Sequence, residues 1–277
     1  PEMSRGLGDV YKRQVKIAVA GAKGHMGKMI IDAVWNTEGA ELVAALAHKG
    51  TDKWEADEDA GASLGYNTGV KITDDYNVLR TCSAQVLIDF TRPEGTKEFL
   101  KICADVGIGM VIGTTGLDAE GKAAIEESAK VIPIVFSPNM SAGVNVTYKL
   151  LELAAKLLKD YDAEIFEMHH SRKVDAPSGT AITLAEGILE NMNRKDKWVK
   201  GTLLAPDGTV SGTDACASNE LPIDSIREGE VFGIHTIRYE SDVDSISITH
   251  DAKNRGGFVL GAILAAEYTA QHEGYLG

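Results

Sequence analysis

Between Glu167 and Thr180 the chain reads E-M-H-H-S-R-K-V-D-A-P-S-G-T. His169 and His170 stand side by side, Arg172 and Lys173 follow, and Asp175 and Pro177 lead into Ser178, Gly179 and Thr180. Histidine is the side chain whose ordinary pKa suits proton transfer near neutral pH. Arginine and lysine supply charge for an anion. Small polar residues opening a helix leave backbone N–H groups free at the positive end of its dipole, which is a ready anion site. The stretch therefore reads as a site for an anionic substrate with a proton donor beside it. A basic run in a loop is ordinarily a solvated surface, and Asp-Ala-Pro-Ser-Gly is good turn chemistry without a ligand. The joint occurrence of paired histidines, a lysine and a prepared helix start favours the site.

The elements that must hold this stretch can be read on either side of it. Residues 163–168 alternate in part like a strand. Ala181, Ile182, Leu184, Ala185, Ile188 and Leu189 recur at helical spacing and predict an amphipathic helix to about Asn193. Pro177 suits the first position of that helix, where its missing N–H costs nothing.

A second constellation lies near the start of the chain. A short apolar strand, Val15 to Ala20, runs into Gly21-Ala22-Lys23-Gly24-His25-Met26-Gly27, then a helix to Trp35 and a strand from Glu41 to Leu46. In one βαβ unit, Gly21 permits the tight turn, Gly24 lets the backbone approach a pyrophosphate and Gly27 allows close helix–strand packing. A dinucleotide site is expected. An acid at the tip of the second strand would bind the ribose 2′-OH of NAD. Here the tip reads Ala45-Leu46-Ala47-His48-Lys49. His48 and Lys49 are potential partners for a 2′-phosphate, which favours NADPH or dual use, unless a loop brings Asp52 or Glu55 back.

Strands at Val86–Phe90, Gly109–Ile112 and Ile132–Phe136 alternate with helices at Glu94–Val106 and Glu120–Lys130, so a mostly parallel sheet with helices on both faces is predicted. The polar tips Phe90-Thr91-Arg92, Gly113-Thr114-Thr115 and Ser137-Pro138-Asn139-Met140 all fall at the carboxyl edge, where ligands bind such sheets. A helix from Asn145 to Leu158 leads to a second unit with strand-like runs at Gly201–Leu204, Ala215–Asn219, Gly229–Tyr239 and Asp244–Thr249. Ile226 to His235 looks like a hairpin corner, and His235 reads as structural. This is an α/β chain: a Rossmann-type nucleotide-binding domain (15–140 with 250–277) and an α+β substrate and oligomerisation domain with an open mixed sheet (141–249). A very apolar last helix, Gly257 to Gln271, with Arg255 near its start, would pack back on the first domain. Residues 1–14 read as a leader or a foreign extension.

The 277 residues carry a formal net charge of −13, which argues against nucleic acid or an anionic membrane as partner. Cys82, Cys103 and Cys216 are far apart without CxxC spacing, as in reduced, cytoplasmic chains, and no metal-ligand set is evident.

The motifs VAGAKGHMG, DFTRPEGT, GTTG, SPNMSAGVN, EMHHSRKVDAPSGTA, IREGEVFGIH and ITHDAKNR run from Val19 to Arg255. By them the chain resembles the 4-hydroxy-tetrahydrodipicolinate (dihydrodipicolinate) reductase family of bacterial lysine and diaminopimelate synthesis. It departs from the pattern at Ala47, where some members carry a ribose-binding acid, and in the first fourteen residues. The resemblance implies NAD(P)H-dependent reduction of a cyclic unsaturated dicarboxylate imine, hinge closure between domains and a homotetramer. It places the pyrophosphate on Gly21 to Met26 with Lys23 and His25 beside it, and the cofactor along Phe90, Thr91 and Arg92. It puts the nicotinamide by Gly113 to Thr115 and Ser137 to Met140, with Asn139 on its carboxamide, and sets Arg255 on the cofactor side. It makes His169 the proton donor or acceptor and Lys173 the second donor and a substrate contact. His170 would bind one carboxylate, and Gly179 and Thr180 the other. Two alternatives stay open: another two-domain nicotinamide-dependent dehydrogenase, and a non-catalytic NADPH sensor. An acylating semialdehyde enzyme would need a cysteine beside a histidine, and none of the three cysteines has that context.

Overall fold

The computed structural model describes residues 14–50, 58–212 and 216–276; the first thirteen residues, together with Asp52, Glu55 and Ala215, lie outside them. The chain forms two compact units, one up to Pro138 together with the segment from Val259 onward, the other Asn139–Phe258. Among the described residues no helix is long and apolar enough to cross a membrane.

The first unit is built on strands β1 (Val15–Ala20), β2 (Ala40–Leu46), β3 (Ile72–Thr73), β4 (Val86–Asp89), β5 (Gly109–Ile112) and β6 (Ile134–Phe136). Their spatial order is β3-β2-β1-β4-β5-β6, and every pairing is parallel. The chain winds outward from β1 in both directions, so a crevice opens beyond the carboxyl ends of β1 and β4. The strands are continuous apolar runs because helices cover both faces of such a sheet: all of β4 and β5 is buried. Helix α1 (His25–Asn36) buries Gly27, Ile30, Ile31 and Val34, one stripe at helical spacing. Helix α2 (Pro93–Val106) opens on a proline and stops at Gly107, whose φ of 77° suits only glycine well. Helix α3 (Ala119–Ser128) is capped by Asp118, which accepts from Gly121 N–H. The edge of β6 is closed by the chain's end: Ile134 N–H donates to Gly274 C=O and Leu276 N–H to Ile134 C=O.

The second unit holds α4 (Ala142–Leu157), β7 (Asp162–His169), α5 (Gly179–Leu189), β8 (Lys197–Leu204), β9 (Val210–Ser211), β10 (Glu220–Arg227), β11 (Ile234–Glu240) and β12 (Ser245–Asp251). Helix α6 (Gly256–Thr269) begins here and runs on into the first unit. The sheet is mixed, in the order β12-β11-β7-β10-β8-β9. Strand β7 sits between β10, which is parallel to it, and β11, which is antiparallel. Its period-two burial puts Ala163, Ile165, Glu167 and His169 on one inward face. That face packs on Leu151 and Ala155 of α4 and on Ala181, Leu184, Ala185 and Ile188 of α5.

Three local expectations are corrected. No strand covers the described part of Ala215–Asn219; β10 starts at Glu220. The buried ammonium of Lys195 donates to the carbonyls of Ser218 and Glu220 and fixes that entry as a turn. The inward positions of β10 are Leu221, Ile223, Ser225 and Arg227, and the last two hide its alternation because they are polar. The stretch from Ile226 to His235 is no hairpin corner, since β10 and β11 flank β7 on opposite sides. Their connection crosses the end of β7, with Glu228 N–H on His169 C=O and His170 N–H on Val231 C=O. Pro177 is not at the first helical position. It follows a cis peptide bond, and Ser178 caps α5 by accepting from Ala181 N–H.

Candidate active site

Across β11, β7 and β10 the shared inward face can be followed row by row. Ile237, Ile165 and Ile223 are opposite one another and apolar. In the next row on that face, His235, Glu167 and Ser225 are opposite one another, and then Arg227 faces His169. Core chemistry thus changes to polar chemistry at the end of β7, directly beneath the His170–Ser178 loop. Glu167 is 2 % exposed and His169 8 % exposed, so neither relies on water for partners. His169 Nδ1 is hydrogen-bonded to Glu167 Oε2. Glu167 Oε1 accepts from Arg227 Nη2 at 2.7 Å and from Ser178 N–H at 3.3 Å. Burial by itself would raise the Glu167 pKa; the hydrogen bonds from His169 and Arg227 outweigh it and hold the group at about 2. Arg227 Nη2 also donates to Asp175 C=O at 2.6 Å, which ties the loop to the same pair.

His235 belongs to this cluster, so the structural reading of it is too narrow. Its ring meets that of His169 edge-on with centroids 5.1 Å apart, and its Nε2 is 3.1 Å from Ser178 Oγ. Burial first, then the charge of His169, lower its pKa to about 3, so it is neutral at working pH. Sequence reasoning missed Glu167, Arg227 and His235. For Glu167 a signal was present: it stands two residues before His169 on a strand, hence on the same face. The expectation of no metal-ligand set needs one amendment. Glu167, His169 and His235 bring a ligand atom each within 4.8 Å of one another, but Arg227 and Ser178 already occupy the carboxylate.

The loop residues divide. Lys173 Nζ reaches both oxygens of Asp175, at 2.7 and 2.8 Å, and its backbone N–H donates to His170 C=O at 3.0 Å, closing a tight turn. His170 is half-buried, and burial followed by the charge of Arg172 lowers its pKa. Arg172 itself forks onto Glu230 in an exposed pair, so for this residue the solvated-surface reading is the better one. Ser178 N–H donates to Glu167, and its Oγ accepts from Ala181 N–H and lies 3.1 Å from His235 Nε2, so the start of α5 is tied to the same cluster. Gly179 is exposed at the first turn of α5, and Thr180 Oγ1 accepts from Asn139 Nδ2 at 3.1 Å. Asn139 belongs to the second unit, where Oδ1 also accepts from Ser141 N–H at the start of α4. Arg255 is likewise in the second unit, with its guanidinium 5.9 Å from the Phe232 ring centre and its charge acting on His170. Within the second unit those neighbours set Arg255 near the His170 loop.

In the first unit the glycine turn fits a pyrophosphate by its shape. Gly21 has φ 81°, and a Cβ on Gly27 would come within 2.0 Å of Gly21 C=O. No side chain caps the start of α1 and no acid stands in its first turn, so its N–H groups and dipole face outward. Ala22 is buried and Met26 partly so, while His25 is exposed. Lys23 Nζ pairs with Glu58 at 2.6 Å. Lys49 Nζ pairs with Glu98 at 2.6 Å and lies 4.4 Å over the Tyr76 ring, and His48 is exposed beside it. At the β4 tip, buried Asp89 accepts from Thr91 N–H and from the hydroxyls of Thr91 and Thr96. Thr91 N–H also donates to Thr114 Oγ1 at 3.0 Å. The Phe90 ring lies against Gly113, where a Cβ would approach it to 2.3 Å. Thr114 is therefore a buried support, whereas Arg92, Thr115 and Pro138 are exposed, Ser137 is half-buried and Met140 is buried.

Family models described as dihydrodipicolinate reductase, N-terminus and C-terminus, match residues 15–140 and 143–277. The 4-hydroxy-tetrahydrodipicolinate reductase of Ralstonia nicotianae is 44 % identical over 266 residues, 94 % of this chain and 96 % of its own length. That of Polynucleobacter necessarius is 45 % identical over 255 residues, covering 92 % and 93 %. Among solved structures, the dipicolinate-bound dihydrodipicolinate reductase of Paenisporosarcina sp. TG-14 superposes with a TM-score of 0.77 at 26 % identity, covering 95 % of this chain and 97 % of that one. An amine dehydrogenase of Mycobacterium smegmatis, 13 % identical with a TM-score of 0.60, shares the fold alone. The chain belongs to the dihydrodipicolinate reductase family.

Proposed function

We propose that this oxidoreductase reduces 4-hydroxy-tetrahydrodipicolinate to tetrahydrodipicolinate with NADPH or NADH, in the route to diaminopimelate and lysine. The observation that carries the reading is a buried histidine, oriented by an ionised glutamate, at the foot of a lysine-bearing loop that leads into a helix N-terminus. When bound, the nicotinamide supplies the hydride. What remains for the protein is to hold a dianion, accept the electron density that arrives on the conjugated imine, and deliver a proton. Replacing the 4-hydroxyl by hydrogen consumes one hydride and one proton and releases water. His169 gives the proton, and Lys173 stabilises the charge and serves as a second donor. His170 takes one carboxylate, and the start of α5 at Ser178, Gly179 and Thr180 takes the other, while Arg255 serves the cofactor side. Ser178 also holds Glu167 and His235.

Gly21 to Met26 hold the pyrophosphate through backbone N–H groups, and Phe90 to Arg92, Gly113 to Thr115 and Ser137 to Met140 form the rim. NADPH is the preferred cofactor, because no acid stands at Ala47 and His48 is exposed at the strand tip. Strand β12 is the outermost strand of its sheet and largely exposed, which supports a homotetramer through the second unit, and sedimentation at working concentration tests this. The function is tested by following loss of NADPH absorbance in the near ultraviolet on adding the condensation product of pyruvate and aspartate semialdehyde. Prompt oxidation is expected. Its absence with NADPH still bound would overturn the reading in favour of a sensor or a different dehydrogenase.

A further inference from the structure

Taking His169 as the proton donor of the reductase reading, we propose that Glu167 is its positioning residue: it fixes the protonated Nδ1, so that all proton traffic passes through Nε2 beside Gly233. Glu167 cannot choose another arrangement easily. Its Oε1 is held by Arg227 Nη2 at 2.7 Å and by Ser178 N–H at 3.3 Å, which leaves Oε2 facing His169 Nδ1. An ionised carboxylate only accepts, so the nitrogen it meets must carry the hydrogen. The neutral imidazole then bears its lone pair on Nε2, and the imidazolium gives its transferable proton there.

Two further features serve the same end. The His169 ring is flanked by the edge-on ring of His235 at 5.1 Å, itself held by Ser178 Oγ at 3.1 Å. A flip would break the bond to Glu167. On the other side stands Gly233. Its φ of 149° disfavours any side chain, and a Cβ there would lie 3.0 Å from His169 Nε2. Glycine at this position keeps a side chain from crowding the reactive nitrogen. The logic is that of an acid–histidine pair in acyl transfer, where the acid orients the ring and sets its tautomer without itself exchanging the proton. A Glu167–Arg227 pair that served only to hold three strands together would stabilise the fold and leave the tautomer unset.

The test is nitrogen NMR of histidine-labelled full-length protein with NADPH bound, with His169→Asn for assignment, together with steady-state kinetics of Glu167→Gln. The neutral wild-type ring is expected as the Nδ1–H tautomer. In Glu167→Gln, whose amide can donate as well as accept, that preference is expected to be lost. The same variant is expected to lose about 100-fold in kcat, with KM for NADPH within about twofold. A wild-type ring protonated on Nε2 overturns the proposal whether or not the variant folds, as does a Glu167→Gln enzyme with wild-type kcat. A wild-type protein that shows the Nδ1–H tautomer but no turnover overturns the reductase reading instead.

Discussion

The β1–α1 turn and the β7–α5 loop both lead from a strand into the start of a helix, and both hold an anion in the proposed function, yet they are built from opposite materials. The first is backbone: three glycines, a helix start that no side chain caps, and a lone lysine turned onto Glu58. The second is side chain: His170, Lys173 and a buried Arg227–Glu167–His169 chain, with the helix start closed by its own serine. A turn that only holds a ligand can rely on N–H groups, which do not titrate. A site that also moves a proton needs groups that titrate, and each such group needs a neighbour that fixes its protonation state. In this chain those neighbours come from two other strands, β10 and β11.

The sharpest way to break this contrast is to remove the titrating lysine. Lys173→Ala should lower kcat by about 10³-fold while NADPH affinity, measured by fluorescence titration, stays nearly unchanged. A variant with wild-type turnover would mean that the loop only binds. Next in size is Arg227→Met, which leaves Glu167 buried without the guanidinium that pairs with its Oε1. A loss of about 3–5 kcal/mol in urea unfolding is expected. The pH dependence carries a sign. The folded pKa of Glu167, about 2, lies below its ordinary 4.5, so the stability it contributes is complete above 4.5 and is lost as pH falls toward 2. In Arg227→Met that loss should begin at higher pH, because one of the groups that hold the carboxylate ionised is gone. A variant whose urea midpoint follows pH as the wild type does would show that the remaining donors suffice to hold it.

The same contrast explains what the amino-acid order revealed. The glycine turn is legible because its parts are seven consecutive residues with a known steric task each, and α1, α2, β4 and β5 follow from apolar spacing with ends displaced by a residue or two. The loop from His169 to Thr180 is equally local, and its polar run stands out in the residue order in the same way. Its supports do not, because Arg227 and His235 reach the site only through strand pairing across about sixty residues of sequence. The polar inward positions Ser225 and Arg227 also disguised β10 as something other than a strand, and misreading β10 made its link to β11 look like a hairpin.

Gly27→Ala probes the backbone site in the same spirit. Its Cβ would fall 2.0 Å from Gly21 C=O, so strand and helix must part locally. A cost of about 1–3 kcal/mol is expected, read as weaker NADPH binding, with the His169 tautomer unaffected because the cluster lies in the other unit. An equally tight cofactor would mean that the turn can widen without losing its N–H geometry.

The smallest expected effect concerns which cofactor the backbone site prefers, and there side chains re-enter. The strand tip offers His48 and Lys49 where an acid would select the 2′-OH. Lys49 is already engaged by Glu98 and stacked over Tyr76, while His48 is exposed beside it. A positive charge tied to an exposed carboxylate is partly neutralised and contributes little at long range. The double variant His48→Glu with Lys49→Ser should therefore shift the ratio of kcat/KM values toward NADH by about tenfold, or ~1.4 kcal/mol. His48→Glu alone should account for most of it, by repelling a phosphate and offering a carboxylate to the ribose. If Lys49→Ser alone produces the shift, the Glu98 pair is not what the lysine keeps when NADPH is present. If neither does, the discrimination lies on some residue other than these two, and preference is set outside the strand tip.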